Sequence, residues 1–188
     1  MPTQEAASLP RWRTRANLLT GARLLLAAPL AAAILHPAPL AAAAVFWLAV
    51  ATDLLDGRVA RRRGESSPLG GLLDHATDAT FVAVGLGAAA AAGEVPWPLP
   101  PLVLAAFVQY ALDSRALRGH ELRTSALGRR NGIAYFALLG VPVVRDALGL
   151  EVPPPGVVVA LGWLLVLSTL VSMTDRALAL RRARRAAR

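Results

Sequence analysis

The chain has 188 residues, 20 of them basic and 12 acidic, for a net charge of +8. It is 55% hydrophobic and only 17% charged, against about 25% charged in an ordinary soluble domain, so intrinsic disorder is excluded and a soluble nucleic-acid-binding surface does not fit. The absence of cysteine rules out disulfides, zinc–thiolate sites and cysteine nucleophiles, and because every basic residue is arginine, any phosphate clamp must be arginine too.

Long apolar runs separated by short basic loops predict an all-α polytopic membrane protein, with residues 1–188 as one domain. Residues 1–16 come first, as a short interfacial segment. Trp12 stands there among Arg11, Arg13 and Arg15, a pattern for a helix lying on anionic headgroups or for an ordinary positive flank. Six transmembrane helices follow, at 18–35, 40–55, 69–92, 100–117, 131–148 and 156–178. Proline-rich turns at 36–39, 95–101 and 152–155 separate spans, because proline breaks helices. Residues 179–188 form a basic tail, read as a membrane anchor rather than a nucleic-acid arm.

Arginine placement sets the orientation. Arg23 lies inside the first span, Arg145 falls on one side, and all the others fall on the opposite side. The positive-inside rule makes that arginine-rich side cytoplasmic, with both termini on it, in the cell (inner) membrane.

The informative segment runs D-L-L-D-G-R-V-A-R-R-R-G-E-S-S-P-L-G-G-L-L-D-H-A-T-D. Asp53 and Asp56 are spaced i, i+3 at the cytoplasmic end of the second span, and Asp74 and Asp78 i, i+4 near the start of the third. Both spacings put a pair on one helix face. A short loop makes the two helices antiparallel neighbours, so the four carboxylates can converge. Hard oxygen ligands at such density suit Mg²⁺ or Mn²⁺, and four are enough for two divalent ions about 4 Å apart, the arrangement used for displacement at phosphorus.

Gly57 lets the helix end or a ligand approach closely. Ala60 leaves room for a nucleotide or phosphate, Arg61 offers a cationic fork to a diphosphate, and Gly70 permits close helix packing. Two other readings compete: structural salt bridges to Arg58, Arg61, Arg62 and Arg63, and a non-enzymatic cation-binding or transport protein, since intramembrane carboxylates also mark ion paths. His75 falls between the third and fourth aspartates and reads as flanking.

This segment resembles the signature of the class I CDP-alcohol phosphatidyltransferases, D-x-x-D-G-x-x-A-R-x8-G-x-x-x-D-x-x-x-D. Asp53, Asp56, Gly57, Ala60, Arg61, Gly70, Asp74 and Asp78 occupy every defined position. The resemblance implies a phospholipid-synthesis enzyme that moves a phosphatidyl group from a CDP-linked donor to an alcohol and releases CMP. It implies two divalent ions on Asp53, Asp56, Asp74 and Asp78, and Asp78 as general base. Gly57, Ala60, Arg61 and Gly70 would lie along the CDP moiety, in a homodimer whose site faces the cytoplasm. The run N-L-L-T-x-x-R, with Asn17, Thr20, Arg23 and then Pro29, resembles the first span of the phosphatidylglycerophosphate synthase-type members. That favours CDP-diacylglycerol as donor and glycerol 3-phosphate as acceptor. The acceptor phosphate would need its own cations, for which Arg123, Arg130 and Arg176 are the candidates. Where glycerol-phosphate members often carry Gly-Lys and Lys-Thr, this chain has T-S-A-L-G-R-R-N-G, which keeps inositol phosphate and other alcohols open.

Overall fold

The computed structural model describes residues 15–63, 68–116 and 126–186, with side chains placed at 21–55, 71–112 and 126–186. The expected interfacial segment at 1–16 lies outside the described residues but for its last two, which open the first helix.

Six helices make up the described residues: α1 (Arg15–Leu35), α2 (Pro39–Arg63), α3 (Pro68–Ala91), α4 (Leu99–Ala116), α5 (Ala126–Ala147) and α6 (Pro155–Ala186). Three of them open on proline, which costs nothing at a first helical position because that N–H has no intrahelical partner. Alanine and leucine fill the interiors and favour helix intrinsically. The central helix is α3, which packs on α1, α4 and α5, while α1 also packs on α2, and α6 closes the bundle against α4 and α5. Leu30, Phe46, Phe81, Leu86 and Leu139 are fully or nearly buried where these helices meet, and Phe81 stacks on Phe136 at 6.2 Å.

The helices run further than the apolar stretches. The α2 backbone stays helical through Gly57 to Arg63, so the helix does not end at the glycine, and α6 continues through most of the basic tail. Arginine and alanine are good helix formers, so the loss of apolarity ends a membrane span without ending the helix. Among the described residues, α6 is long and apolar enough to cross a membrane, and shorter apolar stretches lie at Gly21–Leu35, Pro39–Leu55 and Leu99–Leu112. Arg23 lies inside the apolar stretch of α1, Asp74 and Asp78 lie near the start of α3, and Arg145 and Asp146 lie at the end of α5.

At the end of the bundle remote from the aspartates, α3 finishes in a left-handed turn at Gly93, whose φ is 80°. The Gly93 N–H donates to the Ala90 carbonyl at 3.0 Å and the Glu94 N–H to that of Ala89 at 2.9 Å, the paired closure that needs a residue without a Cβ. The turn delivers Glu94 to Arg145, which is itself buried: its Nη2 donates to Glu94 at 3.0 Å and its Nε to Asp146 at 2.8 Å. The one arginine expected on that side is thus neutralised internally.

α6 meets the α3–α4 connection at Gly162, where an added Cβ would stand 2.3 Å from the Pro96 ring. That ring is too stiff to yield, so Gly162→Ala should cost about 1–3 kcal/mol, the usual scale of overpacking. Gly156→Ala, at a position with no neighbouring atom within 4 Å, should be neutral or slightly stabilising. Thermal unfolding of the two purified variants beside the wild type checks the difference.

Candidate active site

Three helices supply the charged centre. Asp53 comes from α2, Asp74 and Asp78 from successive turns of one face of α3, and Arg23 from the middle of α1. The Arg23 side chain is 0% exposed. Its Nη2 pairs with Asp53 Oδ1 at 3.1 Å, and its Nη1 donates to Asp74 Oδ1 at 3.1 Å and to Asp78 Oδ1. A guanidinium in an apolar helix has to be matched by opposite charge, and here three carboxylates on two other helices match it. Every contact falls on an Oδ1 atom, which leaves the second oxygen of each aspartate unengaged. Asp78 is the most enclosed of the three, at 23% side-chain exposure against 36% for Asp74 and 41% for Asp53.

His75 joins this group. One ligand atom from each of Asp74, His75 and Asp78 lies within 4.8 Å of the others, and the imidazole sits edge-on to Tyr110 at 5.9 Å. It is exposed and lines a cavity together with Asp53 and Asp78. Hard carboxylate oxygens at this spacing fit a divalent cation, with the imidazole as a further donor.

From Asp53, His75 and Asp78 a cavity of about 640 Å³ extends between α3, α4, α5 and α6. Val82, Val103, Phe107, Phe136 and Met173 give it largely apolar walls. Its polar side is a network on α5 and α6. The Thr169 hydroxyl donates to the Leu165 carbonyl at 2.6 Å, so the 2.6 Å contact between Tyr135 and Thr169 has the phenol as donor. Ser168 donates to Asn131 Oδ1 at 2.7 Å. That bond turns the opposite end of the amide away from Ser168, and Asn131 Nδ2 is buried with no hydrogen-bond partner. Asn131 is 4% exposed. Arg129 and Arg176 line the same cavity, with the Arg176 guanidinium 5.2 Å above the Tyr110 ring. Gln109 on α4 donates to the Met173 carbonyl at 3.0 Å and ties the two cavity walls together.

The structure therefore brings together Asp53, Asp74 and Asp78 of the expected metal ligands, while the side chain of Asp56 lies outside the described residues. Gly57, Ala60 and Arg61 ride on the helical backbone of α2, and Gly70 on the first turn of α3, with side-chain placements outside the description. Of the proposed phosphate-binding arginines, Arg176 lines the cavity, Arg130 is exposed and outside its lining, whereas its neighbour Arg129, also exposed, is part of it, and Arg123 lies outside the described residues.

The sequence profile of the CDP-alcohol phosphatidyltransferase family matches residues 13–174. The chain belongs to that family. A CDP-diacylglycerol–glycerol-3-phosphate 3-phosphatidyltransferase of Pseudomonas fluorescens is 51% identical to it over 47 residues, a match covering 25% of this chain and 24% of the relative. Three residues of this phosphatidyltransferase-family chain were not assigned to the site from sequence. Arg23 carried a usable signal, being a lone arginine inside an apolar span, which has to face the bundle interior. Asn131 and His75 carried none beyond polarity.

Proposed function

We propose that the chain is a membrane phosphatidyltransferase that moves the phosphatidyl group of CDP-diacylglycerol to the hydroxyl of a polar alcohol, glycerol 3-phosphate, and releases CMP. The observation that carries this reading is the cavity itself. Its lining combines clustered carboxylates with a buried amide nitrogen that has no hydrogen-bond partner and two arginines. An unpaired buried donor is costly unless a ligand meets it, and arginine is suited to phosphate. A phosphorylated alcohol answers both. The partial relative's name supports glycerol 3-phosphate as that alcohol.

In this reading Asp53, Asp56, Asp74 and Asp78 hold two divalent ions, Mg²⁺ or Mn²⁺, which neutralise the diphosphate and ease loss of the acceptor proton. The protein's own groups do the rest. Asn131, Arg129 and Arg176 hold the acceptor with its free hydroxyl toward the aspartates. That oxygen attacks the phosphorus bearing the diacylglycerol, a new P–O bond forms, and the P–O bond to the bridging oxygen breaks with its electron pair on CMP. Asp78 takes the hydroxyl proton, as the most enclosed of the three described carboxylates. Gly57, Ala60, Arg61 and Gly70 receive the CDP.

All six helices cross the membrane in this reading, and the chain works as a homodimer in the cell membrane. The bundle exterior supports membrane insertion: Leu25, Trp47, Ile133 and Leu164 are each more than half exposed, and only 28% of the apolar window of α6 is buried. Apolar surface on that scale marks contact with lipid or a partner. The charge balance supports the orientation, since arginines crowd the aspartate end while Arg145 is neutralised at the other.

Four outcomes follow. Purified protein given CDP-diacylglycerol, Mg²⁺ and a panel of alcohols should release CMP fastest with glycerol 3-phosphate; a preference for inositol phosphate would reassign the acceptor. EDTA should abolish turnover and added Mg²⁺ or Mn²⁺ restore it, while Asp78→Asn should lower kcat by roughly 10²-fold or more, the scale of losing a general base. Asn131→Ala should raise the acceptor KM about tenfold, the worth of one hydrogen bond to a charged group, with the donor KM unchanged. In sealed cells, cysteines placed at Ala92 and Glu151 should react with an impermeant reagent and one at Arg185 should not.

A further inference from the structure

We propose that Arg23 is a positioning residue of the metal-binding carboxylates: it sets their spacing across two helices by holding one oxygen of each aspartate and leaving the other for the cation. The inference rests on the metal-dependent reading above and goes beyond it, since it concerns a residue outside the aspartate signature.

The geometry argues for a fork rather than a simple counter-charge. One terminal nitrogen bridges Asp74 and Asp78, a turn apart on α3, and the other reaches Asp53 on α2. The planar guanidinium holds these two directions at a fixed angle, and the spacing between the α2 and α3 carboxylates follows from it. A lysine ammonium is a point charge on a flexible stem and cannot impose that spacing. α1, which carries Arg23, packs against both of the helices concerned, so the backbone that presents the fork is anchored to the elements it aligns.

Charge alone points the other way. Three carboxylates and one guanidinium sum to −3 + 1 = −2, which still attracts a divalent cation, and removing the arginine would make the cluster more negative. If Arg23 were only a competing cation, its loss would tighten metal binding. If it positions the ligands, its loss lets like charges on α2 and α3 move apart, and metal binding weakens. Loss of an outer partner that orients metal ligands typically costs 10–100-fold in affinity, and the two roles therefore differ in sign.

Mn²⁺ binding to the full-length protein in detergent micelles, read from the electron paramagnetic resonance signal of free Mn²⁺, separates them without any turnover. Arg23→Gln and Arg23→Lys should each raise the Mn²⁺ concentration for half-saturation by about 10–100-fold, with helicity by circular dichroism unchanged, while Arg181→Gln on the exposed end of α6 should match the wild type. Should the glutamine variant not fold, the lysine variant carries the test. Wild-type affinity in Arg23→Lys would show that charge suffices and overturn the fork, and tighter binding in Arg23→Gln would make Arg23 a competitor. Either result leaves the metal reading standing. Absence of saturable Mn²⁺ binding in the wild type would instead overturn that reading and this inference with it.

Discussion

A single guanidinium buried in an apolar helix organises this bundle. Arg23 has no exposed surface, and an unpaired charge in that position would cost several kcal/mol. Among the described residues its carboxylate partners come from α2 and α3, so pairing it brings three helices to one point. The converse also holds. Asp74 and Asp78, a turn apart on one helix, and Asp53 facing them would repel one another without a cation between them. Arginine and aspartates thus each make the other tenable, and the packing of α1 against α2 and α3 is the backbone expression of that match.

The second half of the molecule is built on a different economy. α4, α5 and α6 enclose a cavity with mostly apolar walls and one polar side. Along that side, Thr169, Tyr135 and Ser168 satisfy one another or nearby carbonyls, while Asn131 keeps a donor without a partner. Buried polar groups are normally bonded, so a donor left over beside these bonds is a place for a ligand to bind.

Each end of the bundle buries an arginine among carboxylates, Arg23 at one and Arg145 at the other. At the remote end Arg145 is closed in by Glu94 and Asp146 and locks the α3–α4 turn to α5. At the aspartate end, Arg176 is held on the face of Tyr110, which also meets His75 edge-on. That aromatic ring holds both side chains at the cavity.

The helical class, the six elements and the shared face of Asp74 and Asp78 were legible in the chain because each depends on local spacing: apolar run length, proline-rich breaks and i, i+4 periodicity. Among the described residues the direct α2–α3 interface expected to gather the aspartates is not formed; both helices pack on α1, and Arg23 joins their carboxylates. Helix ends were less legible, since apolarity stops at 55 in α2 while helix-forming arginines carry the backbone to Arg63. What the sequence could not determine is which residues from distant segments share a space. Arg23 precedes Asp74 by 51 residues, and Asn131 reaches the same cavity as Asp78 from a different helix. Nothing in local spacing distinguishes Arg129 from Arg130, yet only the first lines the cavity. A difference of one residue on a helix is about a third of a turn, and which side of that turn faces inward is decided by how α5 packs against α3 and α6.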